Sequence, residues 1–274
     1  MHSLIDWMKT ATPSLARLCV AAFAGLVLAA HAGVSQRVVD VPSRAGVTER
    51  LLVLQPDQPR AAVILLAGGH GGLQVLPDGS MNWGRGNFLV RTRSLFAGQG
   101  LLVVVLDAPS DRQSPPFLGG FRQTAEHVAD LKAAIAWVRQ QARVPVWLVG
   151  TSRGTQSAAY VATQLPLPDG PDGVVLTSTI MVDPKSRPVP AMDLGKIAVP
   201  VLVVHHEQDA CRVCPPSWLP ELVKRLGSSP RTEGILVSGG TSQGDPCEAF
   251  AHHGYNGIEA AVVQRIAGWI TAAR

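Results

Sequence analysis

Six short runs of strand-forming residues, separated by helical or loop-forming segments, constrain the fold more than any other feature of this sequence. They are AAVILLA from Ala61, LLVVVLD from Leu101, VPVWLVG from Val144, GVVLTST from Gly173, VPVLVVHH from Val199 and GILVSG from Gly234. Each run is continuous and rich in β-branched residues, which is typical of a strand buried on both faces. Strands that alternate with helices form a mostly parallel sheet covered on both sides. We therefore expect an α/β fold.

The remaining segments complete this expected architecture. RVVDV and ERLLVLQ, separated by SRAG, predict an opening antiparallel hairpin, which brings the central sheet to about eight strands. Two helices are predicted, because apolar residues recur at steps of three and four in FRQTAEHVADLKAAIAWVRQQ and from about residue 257 to 272. Residues 180–197 contain prolines and no strong helical period, so we expect a loop there and not a second domain. The apolar stripes of the two helices consist of Val128, Leu131, Ile135 and Val138, and of Val262, Ile266 and Trp269.

The first 32 residues have the composition of a targeting segment. Lys9 and Arg17 flank the apolar core LCVAAFAGLVLAA, and Ala30-His31-Ala32 is a small-x-small cleavage site. The apolar run is shorter than the about 20 residues that span a bilayer. We interpret residues 1–32 as a signal peptide and residues 33–274 as a single domain, secreted or periplasmic, with no stable membrane association after cleavage. An uncleaved membrane anchor is the alternative interpretation.

The distribution of charge argues against a nucleic-acid partner. The chain carries a formal net charge of +4. Its basic residues are scattered along the sequence, without a cluster or an aromatic-interleaved patch. Nucleic-acid-binding domains concentrate such residues on one face, so this class of protein is not expected.

The segment VWLVGTSRGTQSAAYVA, which begins at Val146, changes from a strand to a small-residue helix at GTSRG. Ser152 lies between Gly150 and Gly154, whose missing side chains let the strand and the helix approach closely. A turn this tight strains its central residue and exposes that side chain at the carboxyl end of the strands, where open α/β sheets bind ligands. A GxSxG match alone is equally consistent with a structural turn, but its position here favours a nucleophile.

A serine hydroxyl is a good nucleophile only when a base removes its proton, and the base needs an orienting acid. In this architecture the expected order along the chain is serine, acid, histidine. Asp209 follows the run VPVLVVHHEQ, and His253 lies in AHHGYNGIE before the last predicted helix. Both positions are predicted loops at the sheet edge that carries Ser152. We therefore expect these three side chains to converge.

Over essentially all of residues 33–274, these motifs resemble those of the α/β-hydrolase superfamily. GTSRG resembles the nucleophile elbow, HHEQD the acid turn and HHGY the histidine loop, and the glycine-rich LLAGGHGG follows the first long buried strand. The resemblance implies Ser152 as nucleophile, His253 as general base and then acid, and Asp209 as its orienter, with no cofactor. The absence of an insertion before VPVLVV resembles capless members of the dienelactone-hydrolase-like and small-esterase types.

The resemblance also implies an oxyanion hole formed by the backbone N–H groups of Arg153 and of either Gly69 or His70. Each such donor typically accelerates acyl transfer by about 10²–10³-fold. Many members carry His-Gly where this chain has Ala67-Gly68. The second donor is therefore placed only to within one residue.

Several roles have alternatives at this stage. His252 is a rival base, but the base in such loops usually precedes glycine, as His253 does, which favours His253. Asp183 is a rival acid, because some relatives place the acid one strand earlier. Trp83 and Phe88, after the glycine-rich loop, are candidates for the substrate pocket, although ordinary loop packing explains them about as well.

A metal site is not expected from the histidines near Asp209. His205 and His206 are adjacent on a predicted strand and point to opposite faces. Only one of them could therefore join Asp209 and His252 in a ligand set, and the sequence has no HExxH motif.

Three cysteines follow the predicted signal peptide: Cys211, Cys214 and Cys247. In an exported protein an odd number suggests one disulfide and one free thiol. A thioredoxin-like role for the CxxC spacing would need a much smaller domain and would leave GTSRG unexplained. A bridge from Cys247 to Cys211 or Cys214 would join the acid turn to the histidine loop, and we expect one of these two pairings.

Together these observations predict a capless serine hydrolase that cleaves a carboxylic ester of a small or medium-sized substrate through an acyl-enzyme. A peptidase or a lactonase with the same three residues is an alternative, as is a non-catalytic binding protein that keeps the turn. The acyl group is not predicted, because specificity depends on pocket shape.

Overall fold

The computed structural model describes residues 33–272, and the predicted signal peptide lies outside the described residues. The eight described strands form one sheet in the order β1-β2-β4-β3-β5-β6-β7-β8. The strands are β1 (Ser35–Arg44), β2 (Val47–Gln55), β3 (Ala61–Leu66), β4 (Leu101–Leu106), β5 (Val146–Thr151), β6 (Gly173–Thr177), β7 (Val201–His206) and β8 (Thr232–Val237). β1 pairs with β2, and β2 with β4, in antiparallel fashion, and the other pairs are parallel. The predicted α/β fold class is confirmed.

Helices cover both faces of this sheet. They are α1 (Phe88–Arg91), α2 (Arg93–Gly98), α3 (Ala125–Gln141), α4 (Gly154–Gln164), α5 (Leu219–Arg225) and α6 (Glu259–Thr271). Residues of α3, α4 and α5 pack in one apolar layer, and residues of α1, α2 and α6 in the other. Successive side chains of β3 alternate between the layers, with Ile64 in the first and Val63 and Leu65 in the second. This alternation explains why the sequence runs are continuously apolar.

The predicted helical stripes lie in these layers. The stripe of α3 has three fully buried residues, Leu131, Ile135 and Val138. In α6 the exposed fraction is at most 1% for Val262 and Ile266. The other two stripe residues, Val128 and Trp269, are partly buried and pack against the two layers. Within residues 33–272, no helix has both the length and the apolar composition needed to cross a bilayer.

The prediction that all six runs are buried on both faces is wrong for β8. In this strand Ile235 is buried, whereas Leu236 is 51% exposed. β8 is the edge strand and pairs only with β7, so it has a neighbour on one side and incomplete cover from the helices.

The loops that carry the predicted site residues lie at one edge of the sheet, because parallel strands share the direction in which they end. The loops after β3, β5, β6, β7 and β8 all leave the sheet at its carboxyl edge. Between β6 and β7 the chain forms two short 3-10 turns, Val189–Ala191 and Leu194–Lys196, and no inserted domain. The carboxyl edge beside β5 is therefore not covered by a cap from this segment.

Candidate active site

Ser152 lies on the turn between β5 and α4 in the left-handed backbone region, with φ of +51°. A serine in this region is strained by about 1–3 kcal/mol and persists only where its surroundings fix it. Its N–H donates to the carbonyl of Thr177 at 3.0 Å, and its own carbonyl accepts from the N–H of Thr155 at 2.9 Å and from the hydroxyl of Thr155 at 2.6 Å. These bonds fix the turn that carries the hydroxyl.

The two glycines of GTSRG are required by close main-chain contacts. A Cβ atom at Gly150 would lie 2.4 Å from the carbonyl oxygen of Gly154, and one at Gly154 would lie 2.0 Å from that of Leu66. Both distances are far below van der Waals contact. The close approach that the sequence predicted at this turn is therefore confirmed.

The acid and the histidine lie on the loops that follow β7 and β8. His253 is 5% exposed, and its Nδ1 lies 2.8 Å from Oδ2 of Asp209. The other carboxylate oxygen of Asp209 accepts the N–H of Cys211 at 2.9 Å. The remaining ring nitrogen of His253, Nε2, is buried and has no hydrogen-bond partner within residues 33–272. The Asp209 contact therefore leaves Nε2 as the nitrogen available for chemistry.

The structure brings Ser152 and His253 to the same cavity. Both residues line a cleft of about 500 Å³ at the carboxyl edge of the sheet. In the described structure they are not hydrogen-bonded to each other. Such bonds are often long in a ligand-free enzyme and tighten when the substrate binds.

The two rival residues make other contacts. The ring of His252 stacks on that of His206, with 4.3 Å between centroids and 2° between planes. Asp183 forms a 2.7 Å ion pair with Arg153 and also accepts the hydroxyl of Ser186. The histidine–carboxylate contact at the cavity is thus made by His253 and Asp209.

The adjacent histidines of β7 have separate environments. His205 is fully buried, and its Nε2 accepts the N–H of Thr179 at 2.8 Å. Burial lowers its pKa to about 4. His206 instead places its Nε2 at 2.8 Å from the carbonyl oxygen of Gly239. The two rings contribute to no common ligand set.

The glycine-rich loop after β3 lies against Ser152. A Cβ atom at Gly68 would be 2.9 Å from Cβ of Ser152. The N–H groups of Gly69, His70 and Arg153 donate to no acceptor within the described part of the chain. Gly69 lines the same cleft as Ser152, whereas His70 lines a neighbouring cavity. Gly69 and Arg153 therefore have backbone donors available beside the serine.

Solved structures share this architecture. The chain is similar to dienelactone hydrolase from Anabaena variabilis, with a TM-score of 0.59 and 15% identity over 86% of this chain and 96% of that one. It is also similar to an esterase from Pyrococcus furiosus (TM-score 0.59, 14% identity, 86% of this chain and 92% of that one). A third such structure is an alpha-beta serine hydrolase homologue from Coxiella burnetii (TM-score 0.56, 18% identity, 86% and 95%). The chain has the α/β-hydrolase fold. No protein-family model and no curated protein matches it.

In this α/β-hydrolase fold an aspartate holds the segment that follows the glycine-rich loop. Oδ1 of Asp107 accepts the N–H groups of Leu73 at 2.7 Å and of Gln74 at 3.1 Å, and Oδ2 accepts that of Val75 at 2.8 Å. This role of Asp107 was not predicted from the sequence. The available signal was an acidic residue directly after the buried run LLVVVL.

A buried arginine holds the glycine-rich loop itself. The Arg122 guanidinium donates to the carbonyls of Ala67 at 3.1 Å and Gly69 at 3.2 Å, and to the hydroxyl of Ser157 at 3.0 Å. Burial, together with the nearby charge of Arg153, lowers the pKa of Arg122 to about 9. Arg122 lies in the quoted helical segment but before the first residue of α3 and outside its apolar stripe, so no local signal identified it.

Tyr255 joins the histidine loop to the sheet. Its hydroxyl donates to the carbonyl of Val204 at 2.8 Å and accepts the N–H of Ser178 at 3.0 Å. The hydroxyl of Ser178 donates to the carbonyl of His253 at 2.7 Å. Tyr255 is fully buried, and burial raises the pKa of its hydroxyl. The motif HHGY included this residue, but its spacing did not reveal the contact.

The disulfide joins Cys211 to Cys247, which is one of the two predicted pairings. It ties the acid turn to the segment that precedes His253. Cys214 is a buried free thiol. Burial is the main reason that its pKa is raised.

The two predicted pocket residues contribute differently to the cleft. Trp83 is 36% exposed, and its ring lies directly over Gly69. Phe88 borders the cleft but is 1% exposed, because it packs against Tyr255 with 4.7 Å between ring centroids. Phe250, which the sequence analysis did not select, is 52% exposed at the same cleft. Trp83 and Phe250 therefore offer most of the aromatic surface.

Proposed function

We propose that the protein is a serine hydrolase that cleaves a carboxylic ester of a small or medium-sized substrate. The observation that carries this proposal is the 2.8 Å contact between His253 Nδ1 and Asp209, which leaves Nε2 without a partner in the cleft that Ser152 lines. A hydrolase is further supported by the likeness to dienelactone hydrolase and esterase structures.

In the first half of the proposed reaction, Nε2 of His253 removes the proton of Ser152 as Oγ attacks the ester carbonyl. Asp209 fixes the ring tautomer and stabilises the imidazolium that forms. The protonated ring then gives its proton to the leaving alkoxide, and an acyl-enzyme remains. In the second half, His253 deprotonates a water molecule that attacks the acyl carbon. The protonated ring then returns this proton to Oγ of Ser152 as the bond between Oγ and the acyl carbon breaks, which releases the carboxylic acid and restores the serine.

The negative charge of each tetrahedral intermediate needs donors that are already in place. The N–H groups of Arg153 and Gly69 are proposed for this role, because neither has another acceptor within residues 33–272. The beginning of α4 adds the positive end of its dipole beside the serine. Arg122 and Asp107 act through the glycine-rich loop and are positioning residues.

The size and lining of the cleft support a small or medium-sized substrate. A volume of about 500 Å³ falls within the ordinary range of small-molecule sites. Trp83 and Phe250 provide exposed apolar surface in the cleft that Ser152 lines. We also propose that the protein is secreted or periplasmic, which the Cys211–Cys247 disulfide supports, because disulfides persist in oxidising compartments.

A fluorophosphonate probe tests the proposal directly, because it reacts with an activated serine. Wild-type protein should be labelled at Ser152, and Ser152→Ala should not be labelled. Ser229→Ala, at a serine that does not line the described cleft, is the matched control and should be labelled like wild type. Folded protein without labelling would contradict the proposal and favour a binding protein.

A substrate panel then tests the reaction class. We expect the protein to hydrolyse p-nitrophenyl esters of short and medium acyl length, and we expect Ser152→Ala to hydrolyse none of them. Peptide and lactone substrates, run beside them, should be turned over more slowly. Faster turnover of a peptide or a lactone would be consistent with the serine mechanism, but it would contradict the proposal that the substrate is a simple carboxylic ester.

A further inference from the structure

Three cysteines and the histidine of the proposed active site meet at one side of the cleft. Cys211, Cys214 and His253 are buried, and each offers a ligand atom within 4.8 Å of those of the other two. Cys247 is not one of these three residues, but it lies next to them because its sulfur is bonded to that of Cys211. The cysteine count predicted one disulfide and one free thiol, and no sequence pattern joined the cysteines to His253.

The order of these residues along the chain is Cys-x2-Cys followed by Cys-x5-His. Protein zinc sites commonly draw two ligands from one short turn and two from another, and Cys3His is one of their usual donor sets. Here the first pair lies in the loop after β7 and the second pair in the loop after β8.

We propose that Cys211, Cys214, Cys247 and His253 form a tetrahedral zinc site when a dithiol reduces the Cys211–Cys247 disulfide, and that bound Zn²⁺ inhibits hydrolysis. Reduction moves two electrons and two protons from the dithiol to the cysteine sulfurs, and the dithiol becomes a disulfide. Zinc then displaces one proton from each of the three thiols into solvent. The inhibition rests on the proposed function, whereas the metal binding does not.

The spacing of the ligand atoms suits this geometry. Tetrahedral zinc, with Zn–S of about 2.3 Å and Zn–N of about 2.0 Å, separates its ligand atoms by roughly 3.5–3.8 Å. For Cys211, Cys214 and His253, the present limit of 4.8 Å requires a closure of about 1.3 Å at most, which side-chain rotation can provide. The sulfurs of Cys211 and Cys247 move apart once their bond is broken.

His253 already has the environment of a zinc ligand. Histidines that bind zinc usually donate their other ring N–H to a carboxylate, which fixes the tautomer and orients the ring. His253 makes this contact from Nδ1 to Asp209, and its buried Nε2 has no partner within residues 33–272. The arrangement that prepares Nε2 to accept a proton also prepares it to bind a metal ion.

Cys214 distinguishes this group from an ordinary disulfide. Its thiol is fully buried and has no role in the proposed reaction. In the oxidised protein two of the three sulfurs are bonded to each other, and zinc binding is not expected. In the reduced protein all three sulfurs become available beside the ring of His253, whose Nε2 has no hydrogen-bond partner within residues 33–272. One lone pair cannot both bind Zn²⁺ and accept the Ser152 proton, so inhibition follows from occupancy.

Cobalt provides the spectroscopic test. The purified protein is reduced with dithiothreitol. The dithiothreitol is then removed in the absence of oxygen, and the protein is titrated with Co²⁺. We expect thiolate-to-cobalt charge-transfer bands and strong tetrahedral d–d bands that saturate at one equivalent and disappear when Zn²⁺ is added. Oxidised protein should show neither. Zn²⁺ should inhibit the hydrolysis of p-nitrophenyl acetate only after the protein is reduced, and a chelator should restore the hydrolysis.

Two variants make the assignment specific. Reduced Cys214→Ser loses one thiolate, and its affinity for Zn²⁺ should fall by more than about 100-fold, since even outer contacts to a zinc site change affinity by about 10- to 100-fold. His252→Ala is the matched control, because His252 stacks on His206 and is not one of the four proposed ligands. Its cobalt spectrum should equal that of reduced wild type.

Two results would overturn the proposal. One is the absence of tetrahedral cobalt bands in reduced, folded wild type, and the other is an unchanged affinity of Cys214→Ser for Zn²⁺. If reduction alone unfolds the chain, Zn²⁺ should restore the near-ultraviolet circular dichroism of wild type but not of Cys214→Ser, and failure to do so would also refute the site. If the oxidised protein hydrolyses no ester, the proposed function fails while the cobalt spectra still decide the metal site.

Discussion

The two sides of the cleft are held in place by different kinds of interaction. We call the β5–α4 turn the nucleophile side and the loops after β7 and β8 the histidine side. The nucleophile side depends on main-chain contacts among neighbouring elements, where Gly150 and Gly154 leave no room for a side chain. The histidine side depends on links between distant residues: the Cys211–Cys247 disulfide, and the hydrogen bonds of Tyr255 to Val204 and Ser178.

This difference has a consequence for stability and for activity. A turn packed between a helix and the central strands cannot be altered without disturbing the core. Loops joined by a few cross-links can loosen while the sheet remains folded. We therefore expect changes on the nucleophile side to affect folding first, and changes on the histidine side to affect catalysis as much as stability.

The largest effect is expected for Gly154→Ala on the nucleophile side. The new Cβ would lie 2.0 Å from the carbonyl oxygen of Leu66 in β3, so the helix and the strand would have to separate. We expect a loss of more than about 3 kcal/mol in the free energy of unfolding, measured by urea denaturation.

Gly268→Ala is the matched control for this substitution. Gly268 lies within α6, and a Cβ atom there would meet nothing within 4 Å. Alanine in a helix is more favourable than glycine by about 0.5–1 kcal/mol, so this variant should be as stable as wild type or more so. Equal stability of the two variants would show that the nucleophile side is not closely packed.

The next effect concerns the disulfide on the histidine side. In the double variant Cys211→Ser/Cys247→Ser we expect the free energy of unfolding to fall by about 2–4 kcal/mol. The kcat/KM for p-nitrophenyl acetate should fall as well, because the loop that carries His253 loses its link to the acid turn. Both quantities are measured with a chelator present, which separates this effect from metal binding.

Adding dithiothreitol gives the control for the disulfide experiment. It should lower the stability and the activity of wild type toward those of the double variant, and it should not change the double variant. Full activity of the double variant would contradict the idea that the histidine side depends on this cross-link.

Much of the fold could be predicted because its signals are local. Continuous apolar runs identify strands buried on both faces, and the spacing of glycines around Ser152 identifies the turn. β8 shows the limit of this reasoning. GILVSG resembles the buried runs, but whether a strand lies at the centre or at the edge of a sheet depends on its neighbours, and β8 has only β7.

The residues that position the candidate site could not be predicted, because their contacts join distant parts of the chain. Asp107 binds a segment 32–34 residues earlier, Arg122 binds Gly69 from 53 residues away, and Tyr255 binds Ser178 from 77 residues away. Each contact is between a side chain and the main chain, which any residue at the receiving position can provide. No local pattern therefore records it.

A smaller effect, visible only in acid, is expected from His205, which lies in β7 next to the histidine side. Burial lowers its pKa from 6.5 to about 4 in the folded protein. Between these values the unfolded chain binds the proton and the folded chain does not, so the free energy of unfolding falls as the pH falls. For His205 this loss amounts to about 3 kcal/mol by pH 4, and it is absent above pH 6.5.

His205→Gln isolates this contribution, because a glutamine oxygen can accept the N–H of Thr179 as Nε2 does. The free energy of unfolding is measured by urea denaturation at neutral pH and near pH 4. Between these two conditions it should fall by up to about 3 kcal/mol more for wild type than for the variant. The other titrating groups are common to both proteins and cancel. Parallel curves for wild type and His205→Gln would refute the assignment.

The smallest effect is expected for Tyr255→Phe, which removes one oxygen from the histidine side and keeps the ring that packs on Phe88. The carbonyl of Val204 loses a buried donor, while Ser178 N–H keeps a second acceptor in that same carbonyl at 3.0 Å. We expect a loss of about 1–2 kcal/mol in the free energy of unfolding. We also expect a lower kcat at unchanged KM, because the hydroxyl fixes the loop that carries His253 and touches no substrate.

Tyr160→Phe is the matched control, since the Tyr160 hydroxyl makes no hydrogen bond within the described residues and its side chain is partly exposed. Its stability should stay within about 0.5 kcal/mol of wild type. If Tyr255→Phe also leaves kcat unchanged, the hydroxyl stabilises the fold without positioning His253. The disulfide would then be the cross-link on which the geometry of the histidine side depends.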